Sequence, residues 1–433
     1  MAQNRRPNPE PREIEGHELR VLLVAYGSRG DIEPMVGLAL CLRGLGWEVR
    51  VCAPPDFSEL LEGAGLPFAP LGAPLRPMVE GEVTGTKPLA PAGLPQRAAA
   101  LTASAYESVA AVADGCDAVL ATGLIPAGAG ARAAAEKLGI PYVWVAYFPT
   151  YLPSPHHPPF AYAGRPFPPE VTGNLDLWDL DAENMNALFG EGINTHRASV
   201  GLPPVTDVRG HVFTGRPWLA ADPVLAPWTE SQGFEVAQTG AWFRAGELPL
   251  PDDVERFLDA GTPPVYVGFG SMPMRDPEEL ARVTVGAVRA QGRRVLLSRG
   301  WADLALVDGQ EDCLVVGEID QKALFRRVSA VVHHGGAGTT TTAARAGAPQ
   351  VVVPQIADQP YWAQRVAALG IGVAHDGPAP TLDSLSDALR AVLTPETRVR
   401  AADVARTIRT DGTSVAAHLL TRVIGGERPP ASA

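Results

Sequence analysis

The sequence predicts an α/β protein built as two doubly wound lobes, each around a parallel sheet, facing a cleft between them. Three observations carry that prediction. Short β-branched runs ending in Gly or Pro alternate with Ala- and Leu-rich helical periods, the pattern of βαβ units. The alternation stops in a Pro-rich stretch and a turn-rich zone near Pro217 to Pro251, then begins again. The halves also echo each other, Leu22-Leu23-Val24-Ala25-Tyr26-Gly27-Ser28 against Val265-Tyr266-Val267-Gly268-Phe269-Gly270-Ser271, each a strand running into Gly-Ser.

In chain order, the first eighteen residues mix Arg5, Arg6, Arg12, Glu10, Glu13 and Glu15 with three prolines and no apolar core, and read as a disordered tail. Strands are expected at Leu19 to Ala25, Trp47 to Ala53, Ala118 to Ala121 and Tyr142 to Tyr147, with helices at Glu33 to Leu45, Gln96 to Ala113 and Ala131 to Leu138. The second series has strands at Val265 to Phe269, Val295 to Leu297, Leu314 to Val316, Ala330 to His333 and Val351 to Val353. Its helices lie near Glu278 to Ala290, Thr339 to Ala346 and Tyr361 to Leu369. The expected divisions are a tail (1–18), a first lobe (19–227), a linker region (228–250), a second lobe (251–412) and a terminal segment (413–433). With 433 residues, two lobes of roughly 200 residues account for the chain.

Composition narrows the function. The formal charge of −12 argues against a duplex-binding surface, because phosphate-neutralising cations dominate nucleic-acid affinity. Four cysteines without a CxxC pair indicate neither a disulfide framework nor a thiolate zinc site, and a cytoplasmic location fits. No run of about 18 residues is apolar enough to suggest a membrane span. Eight of the 42 prolines fall between Pro149 and Pro169, a shaped loop of special use.

The strongest local signal is His333-His334-Gly335-Gly336-Ala337-Gly338-Thr339-Thr340, directly after a strand and opening a helix. Glycines there let the backbone approach an anion, and the helix N-terminus offers unpaired N–H groups and a positive dipole end. Neither a Walker nor a GxGxxG spacing fits, and a Gly-rich turn with two structural histidines is the bland alternative. No third ligand supports a metal site. Pro354-Gln355-Ile356-Ala357-Asp358-Gln359-Pro360 follows the next strand; a carboxylate beside a carboxamide can hold sugar hydroxyls, while an N-cap is the other reading of Asp358. In the first lobe, Asp31 of Gly27-Ser28-Arg29-Gly30-Asp31 is either an N-cap or a general base at the cleft. Two motifs are discounted. Gly128-Ala129-Gly130-Ala131-Arg132-Ala133 matches GxGxxA, but no acidic residue closes the following strand; Asp179-Leu180-Asp181 spells DxD at an expected helix start.

Gly27 to Pro34, Ala53 to Asp56, Tyr151 to Pro159, Gly201 to Val205, Ala220 to Pro227, His333 to Thr340 and Ile371 to Pro378 together resemble the vancomycin-group glycopeptide antibiotic glycosyltransferases, from about Leu19 to Glu427. The resemblance implies a GT-B fold of two Rossmann-like lobes, an acceptor lobe first and a nucleotide-sugar lobe second, with the last helix, near Val415 to Ile424, crossing back. It implies Asp31 as base, and His334 with Gly335, Gly336, Ala337, Gly338 and Thr339 as diphosphate binder. Asp358 and Gln359 would hold sugar hydroxyls, with Ser28, Arg29 and Ser271 near the donor phosphates. The Pro-rich loop would shape the acceptor mouth through Pro153, Ser154, His156 and His157. The implied reaction is an inverting, metal-independent transfer of a sugar from a TDP- or UDP-sugar to a glycopeptide aglycone or pseudoaglycone hydroxyl by a cytoplasmic monomer that uses no cofactor.

Two departures stand out. Many wider relatives carry a His base, yet Arg20 to Val36 contains none. Where they carry a ribose-binding Glu eight residues after the phosphate-binding His, this chain has Thr342, which makes TDP-sugars candidates beside UDP-sugars. The alternatives are transfer to another natural product, a lipid or a sterol, a non-catalytic nucleotide-sugar-binding auxiliary protein, and a nicotinamide-dependent oxidoreductase.

Overall fold

The computed structural model describes residues 18–76, 93–162, 165–229, 233–272, 274, 276–305 and 309–427. The expected N-terminal tail, apart from its last residue, lies outside them. The first sheet grows from β1 (Arg20–Tyr26) to β2 (Glu48–Ala53) and β3 (Phe68–Pro70) on one side. On the other it runs through β4 (Ala118–Gly123), β5 (Tyr142–Ala146), β6 (Trp218–Leu219) and β7 (Ala237–Gln238). Every pairing is parallel. Helices cover both faces, so β1 is apolar along its length instead of alternating, and Val21 to Tyr26 are all buried.

The helices of this half are α1 (Arg29–Gly44), α2 (Ser58–Gly63), α3 (Leu94–Ala110), α4 (Ile125–Leu138), α5 (Asn174–Ser199) and α6 (Val208–Phe213). α1 starts earlier than expected. Ser28 is its N-cap, its Oγ accepting from Gly30 N at 3.3 Å, so Asp31 stands in the first turn and is not the cap. α4 also starts earlier, at Ile125, and encloses the GxGxxA motif instead of following it. A Cβ at Gly128 would lie 2.5 Å from Trp144 Cζ3, and one at Gly130 would lie 2.4 Å from Thr102 O. Those glycines let α4 press onto β5 and α3.

After α7 (Asp252–Asp259), the second sheet has the order β10-β9-β8-β11-β12-β13. Its strands are β8 (Val265–Gly268), β9 (Val295–Ser298), β10 (Cys313–Val316), β11 (Ala330–His333), β12 (Gln350–Val352) and β13 (Gly372–Ala374), again all parallel. Around it lie α8 (Pro277–Arg289), α9 (Gln321–Phe325), α10 (Ala337–Ala346), α11 (Gln359–Ala368), α12 (Leu382–Val392) and α13 (Pro395–Ala405). The chain closes with α14 (Gly412–Ile424). Its Ala416, Ala417, Leu419, Leu420 and Ile424 join a core cluster with Val21, Leu23, Leu38 and Leu42 of the first half.

In both sheets the strand order reverses direction beside the central strand, between β1 and β4 and between β8 and β11, and ligands of open α/β sheets bind outside the carboxyl ends at such points. The segment between the sheets is not a bare linker, since β7 lies within it and belongs to the first sheet. Just before it, Asp222 is fully buried. One oxygen caps Val224 N at 2.8 Å and the other accepts from Arg409 N at 2.8 Å, while Arg365 donates to Leu225 O at 2.9 Å and Val224 O at 3.1 Å. One apolar cluster accordingly runs from Leu225 and Ala226 to Trp362, Val366 and Ile408.

Candidate active site

The corner between β1 and α1 carries Asp31. Its carboxylate folds back over Gly27, where a Cβ would sit 2.1 Å from Asp31 Oδ2, and Ser28 Oγ donates to that oxygen at 3.5 Å. Burial of the carboxylate raises its pKa to about 6, against hydrogen bonds from Ser28 and its own backbone that lower it. The Asp31 charge reaches across the cleft. It adds to the desolvation that raises the Tyr147 and Tyr151 phenols, and to that which holds Asp358 at about 7. Residues 327 positions apart in sequence, Asp31 and Asp358, thus belong to one electrostatic site.

The corner between β11 and α10 is different. Its N-cap, Gly336, makes no side-chain capping bond, so the first N–H groups of α10, on Ala337, Gly338 and Thr339, are left to an outside acceptor. Gly335, at φ 93, takes the left-handed turn, and a Cβ there would lie 2.7 Å from Val352 Cγ1. The two histidines divide the work. His333 is fully buried, its Nδ1 accepting from Gly335 N at 3.0 Å and its Nε2 donating to Gln350 Oε1 at 3.0 Å, which fixes the loop. His334 rests against the glycines, Cε1 3.0 Å from a Cβ placed on Gly270 and Nε2 2.6 Å from one on Gly336, and its buried Nδ1 has no partner. Burial lowers the His334 pKa to about 4, so the imidazole is neutral at pH 7 and can donate from one nitrogen. Ser271, half-buried, follows Gly270 in the turn after β8.

Asp358 occupies the N-cap position of α11 but makes no capping bond. Its Oδ2 accepts from Trp362 Nε1 at 2.7 Å, and desolvation is the main cause of its raised pKa. Gln359 is buried, and its Oε1 accepts from Gln355 N at 2.7 Å and Ile356 N at 3.1 Å. That carboxamide oxygen holds its own loop together, which includes Ala357 at φ 54, and only Nε2, 3.4 Å from Met272 Sδ, faces elsewhere.

The acceptor-side residues are built mainly into the loop. Pro153 and Ser154 are buried, and Ser154 Oγ accepts from His156 N at 3.1 Å. His157 donates from Nε2 to Leu152 O at 3.0 Å, and its ring lies 6.0 Å from Trp178 of α5 and 6.4 Å from Tyr361 of α11. Only His156 stands exposed. Arg29 does not stand free: it pairs with Glu33 and with Glu318 of the other half. The DxD pair splits, with Asp179 exposed on α5 and Asp181 buried against Arg209 at 3.5 Å. Among the described residues no group of three or more His, Cys, Asp or Glu could hold a metal ion, and no helix is long and apolar enough to cross a membrane. No local pattern in the sequence marks Tyr147, Tyr151, Trp362 or Glu318: the two tyrosines feel the Asp31 charge within the first lobe, Trp362 donates to Asp358 one turn back along α11, and Glu318 pairs with Arg29 across the cleft.

Two parallel-sheet lobes with facing carboxyl edges and an uncapped glycine-rich helix start are the architecture of a GT-B glycosyltransferase. Residues 21–154 match the glycosyltransferase family 28 N-terminal domain, and residues 308–416 the C-terminal domain of erythromycin biosynthesis protein CIII-like proteins. The chain is 52% identical to glycosyltransferase GtfE of Amycolatopsis orientalis, over 95% of this chain and 99% of that one. It is 49% identical to the vancomycin aglycone glucosyltransferase (96% and 100% covered) and 46% identical to the dTDP-epi-vancosaminyltransferase (95% and 99%) of the same organism. It belongs to the vancomycin-group glycopeptide antibiotic glycosyltransferases and is an enzyme of that class. The solved structures of the kitacinnamycin glycosyltransferase (TM-score 0.70, 20% identical, 93% and 98% covered) and of VinC in complex with dTDP (0.64, 22%, 94% and 99%) share the fold.

Proposed function

We propose that the enzyme transfers a sugar from a TDP- or UDP-sugar to a hydroxyl of a glycopeptide aglycone or pseudoaglycone, with inversion and without a metal ion, as a cytoplasmic monomer. The observation that carries this reading is the pairing of a raised carboxylate, Asp31, with an uncapped helix start beside His334 on the opposite edge of the cleft. Asp31 takes the proton of the acceptor hydroxyl as its oxygen bonds to the anomeric carbon. The bond from that carbon to the diphosphate breaks on the opposite face, and the nucleoside diphosphate leaves with the electron pair. The α10 N–H groups and a proton of His334 meet the growing charge, the part a metal ion plays elsewhere. Asp358 and Gln359 Nε2 hold the sugar, Ser28, Arg29 and Ser271 border the diphosphate, and the loop around Pro153, Ser154, His156 and His157 receives the acceptor. A pKa of about 6 suits a base at neutral pH, being ionised yet stronger than an exposed carboxylate.

A mass-spectrometric screen tests this, pairing vancomycin-type and teicoplanin-type aglycones with UDP-glucose, UDP-N-acetylglucosamine and a TDP-deoxyaminosugar. Gain of one sugar mass is expected with at least one pair. Tight nucleotide binding without any product would favour another acceptor or a binding-only protein.

A further inference from the structure

Arg29 is held by two carboxylates from opposite sides of the cleft. Its Nε and Nη2 donate to Glu33 Oε1 at 3.0 and 2.7 Å, one turn further along α1, while Nη1 pairs with Oε1 of Glu318. Glu318 follows β10, so the second contact ties the first turn of α1 to the carboxyl edge of the other sheet. Arg29 is also close enough to Tyr266 in β8 to act on its phenol, and Trp301, after β9, packs against the apolar cluster of the first lobe. The guanidinium therefore reaches the edge of the second sheet, with the Gly270-Ser271 turn beyond β8.

Two carboxylates on one guanidinium leave a net negative charge where an anionic donor has to enter. Donor binding requires one of them to yield. Glu33 takes two donors of Arg29, shares its helix and has a side chain 40% exposed; Glu318 takes one, comes from a loop and is 75% exposed. Glu318 is the weaker holder. A phosphate matches the guanidinium fork as well as a carboxylate does.

We propose that Glu318 is a built-in competitor of the donor at Arg29: it holds the guanidinium across the cleft in the donor-free enzyme and surrenders it to the nucleoside diphosphate. This rests on the reading of Arg29 as a border of the diphosphate site. The ion pair that the diphosphate has to break sets an affinity below the maximum the site can reach, so that product diphosphate leaves.

Isothermal titration of TDP and of UDP against wild type, Glu318→Gln, Arg29→Gln and the double variant tests it. Removing the competing carboxylate is expected to tighten nucleotide binding about three-fold at low salt, the size of an exposed ion pair. The gain should disappear in the Arg29→Gln background and shrink at ~0.5 M salt. Glu318→Ala, which offers Arg29 no acceptor, should give the same sign. Unchanged or weaker binding in Glu318→Gln, or an equal gain without Arg29, overturns the proposal. If wild type binds neither nucleotide, the donor reading itself fails and takes this inference with it.

Discussion

The two corners that meet at the cleft share a fold and differ in what they do with their helix starts. At β1–α1 the chain fills the corner itself: Ser28 caps the helix and the Asp31 carboxylate lies in the first turn. At β11–α10 it leaves the corner open, with glycine as N-cap and no side-chain oxygen on the first N–H groups. One corner carries its own anion and the other is built to receive one. In each, glycine sets the position of the reactive group, Gly27 beneath Asp31 and Gly336 with Gly270 beneath His334. The Gly-Ser echo in the sequence marks the ends of β1 and β8, the first at the filled corner and the second beside the open one, where Gly270 lies against His334.

The strongest way to break that contrast is to neutralise the filled corner. Asp31→Asn should lower kcat by about 10²–10⁴-fold while TDP or UDP affinity stays near wild type. Wild-type kcat should rise with pH through about 6, as Asp31 loses its proton, and the variant should lose that limb. His334→Ala, at the open corner, should cost about 10²-fold in kcat/KM and weaken nucleotide binding as well. Steady-state kinetics with calorimetry separates the two, and equal loss of donor affinity in both would erase the contrast.

The glycines sharpen it at the next level. Gly27→Ala pushes a methyl into Asp31 Oδ2, so the carboxylate has to move, and a displacement of about 1 Å is enough to cost about 10²-fold in rate. Its thermal unfolding midpoint should change little, because the clash is with the end of a side chain. A variant with full activity would mean that Asp31 acts from a different rotamer.

The cleft also stores an electrostatic cost. Asp31 and Asp358 keep their protons up to about 6 and about 7, whereas carboxylates of the unfolded chain lose theirs near ~4. Between those values the folded state binds more protons, so stability falls as pH rises through the window and levels off above about 7. Asp358→Asn, which can still accept from Trp362, should be more stable than wild type by about 4 kcal/mol at pH 8 and no more stable near pH 4. Urea melts at several pH values check this; a constant difference would mean that the carboxylate is well solvated.

What was legible in the sequence follows from how local each feature is. β1 and β11 announce themselves as β-branched runs, and the His-Gly-Gly turn is contiguous, so the lobes and the open corner could be read directly. The helix starts lie earlier than expected because Gly27 to Glu33 holds no Ala or Leu and Ile125 to Gly130 interleaves its alanines with Pro126, Gly128 and Gly130, while Ser28 capping and close packing of α4 decide them. The start of α5 is expected near Asp179 and lies earlier, at Asn174, because Asn174 and Asp176 dilute its apolar stripe there. Gln359 looked like a free sugar ligand, yet its oxygen satisfies two backbone N–H groups of a loop whose shape no sequence pattern encodes. Glu318 and Tyr147 matter only through contacts that fold topology creates.

The smallest effect tests the open corner's length. Thr342 lies a turn inside α10, buried, its hydroxyl donating to Gly338 O at 2.8 Å, so it offers nothing to a ribose 2′-hydroxyl. A carboxylate at this position would accept from both hydroxyls of a uridine nucleotide but from only one of a thymidine nucleotide, which lacks the other. Thr342→Glu should therefore shift the ratio of UDP to TDP affinity by about ten-fold toward UDP, the value of one charge-assisted hydrogen bond. Thr342→Gln, equal in size and uncharged, should move it less. Competition titrations with the two nucleotides give the ratio directly. A ratio unmoved by Glu in a variant that still unfolds cooperatively would place the ribose away from α10 and confine the open corner to the phosphates.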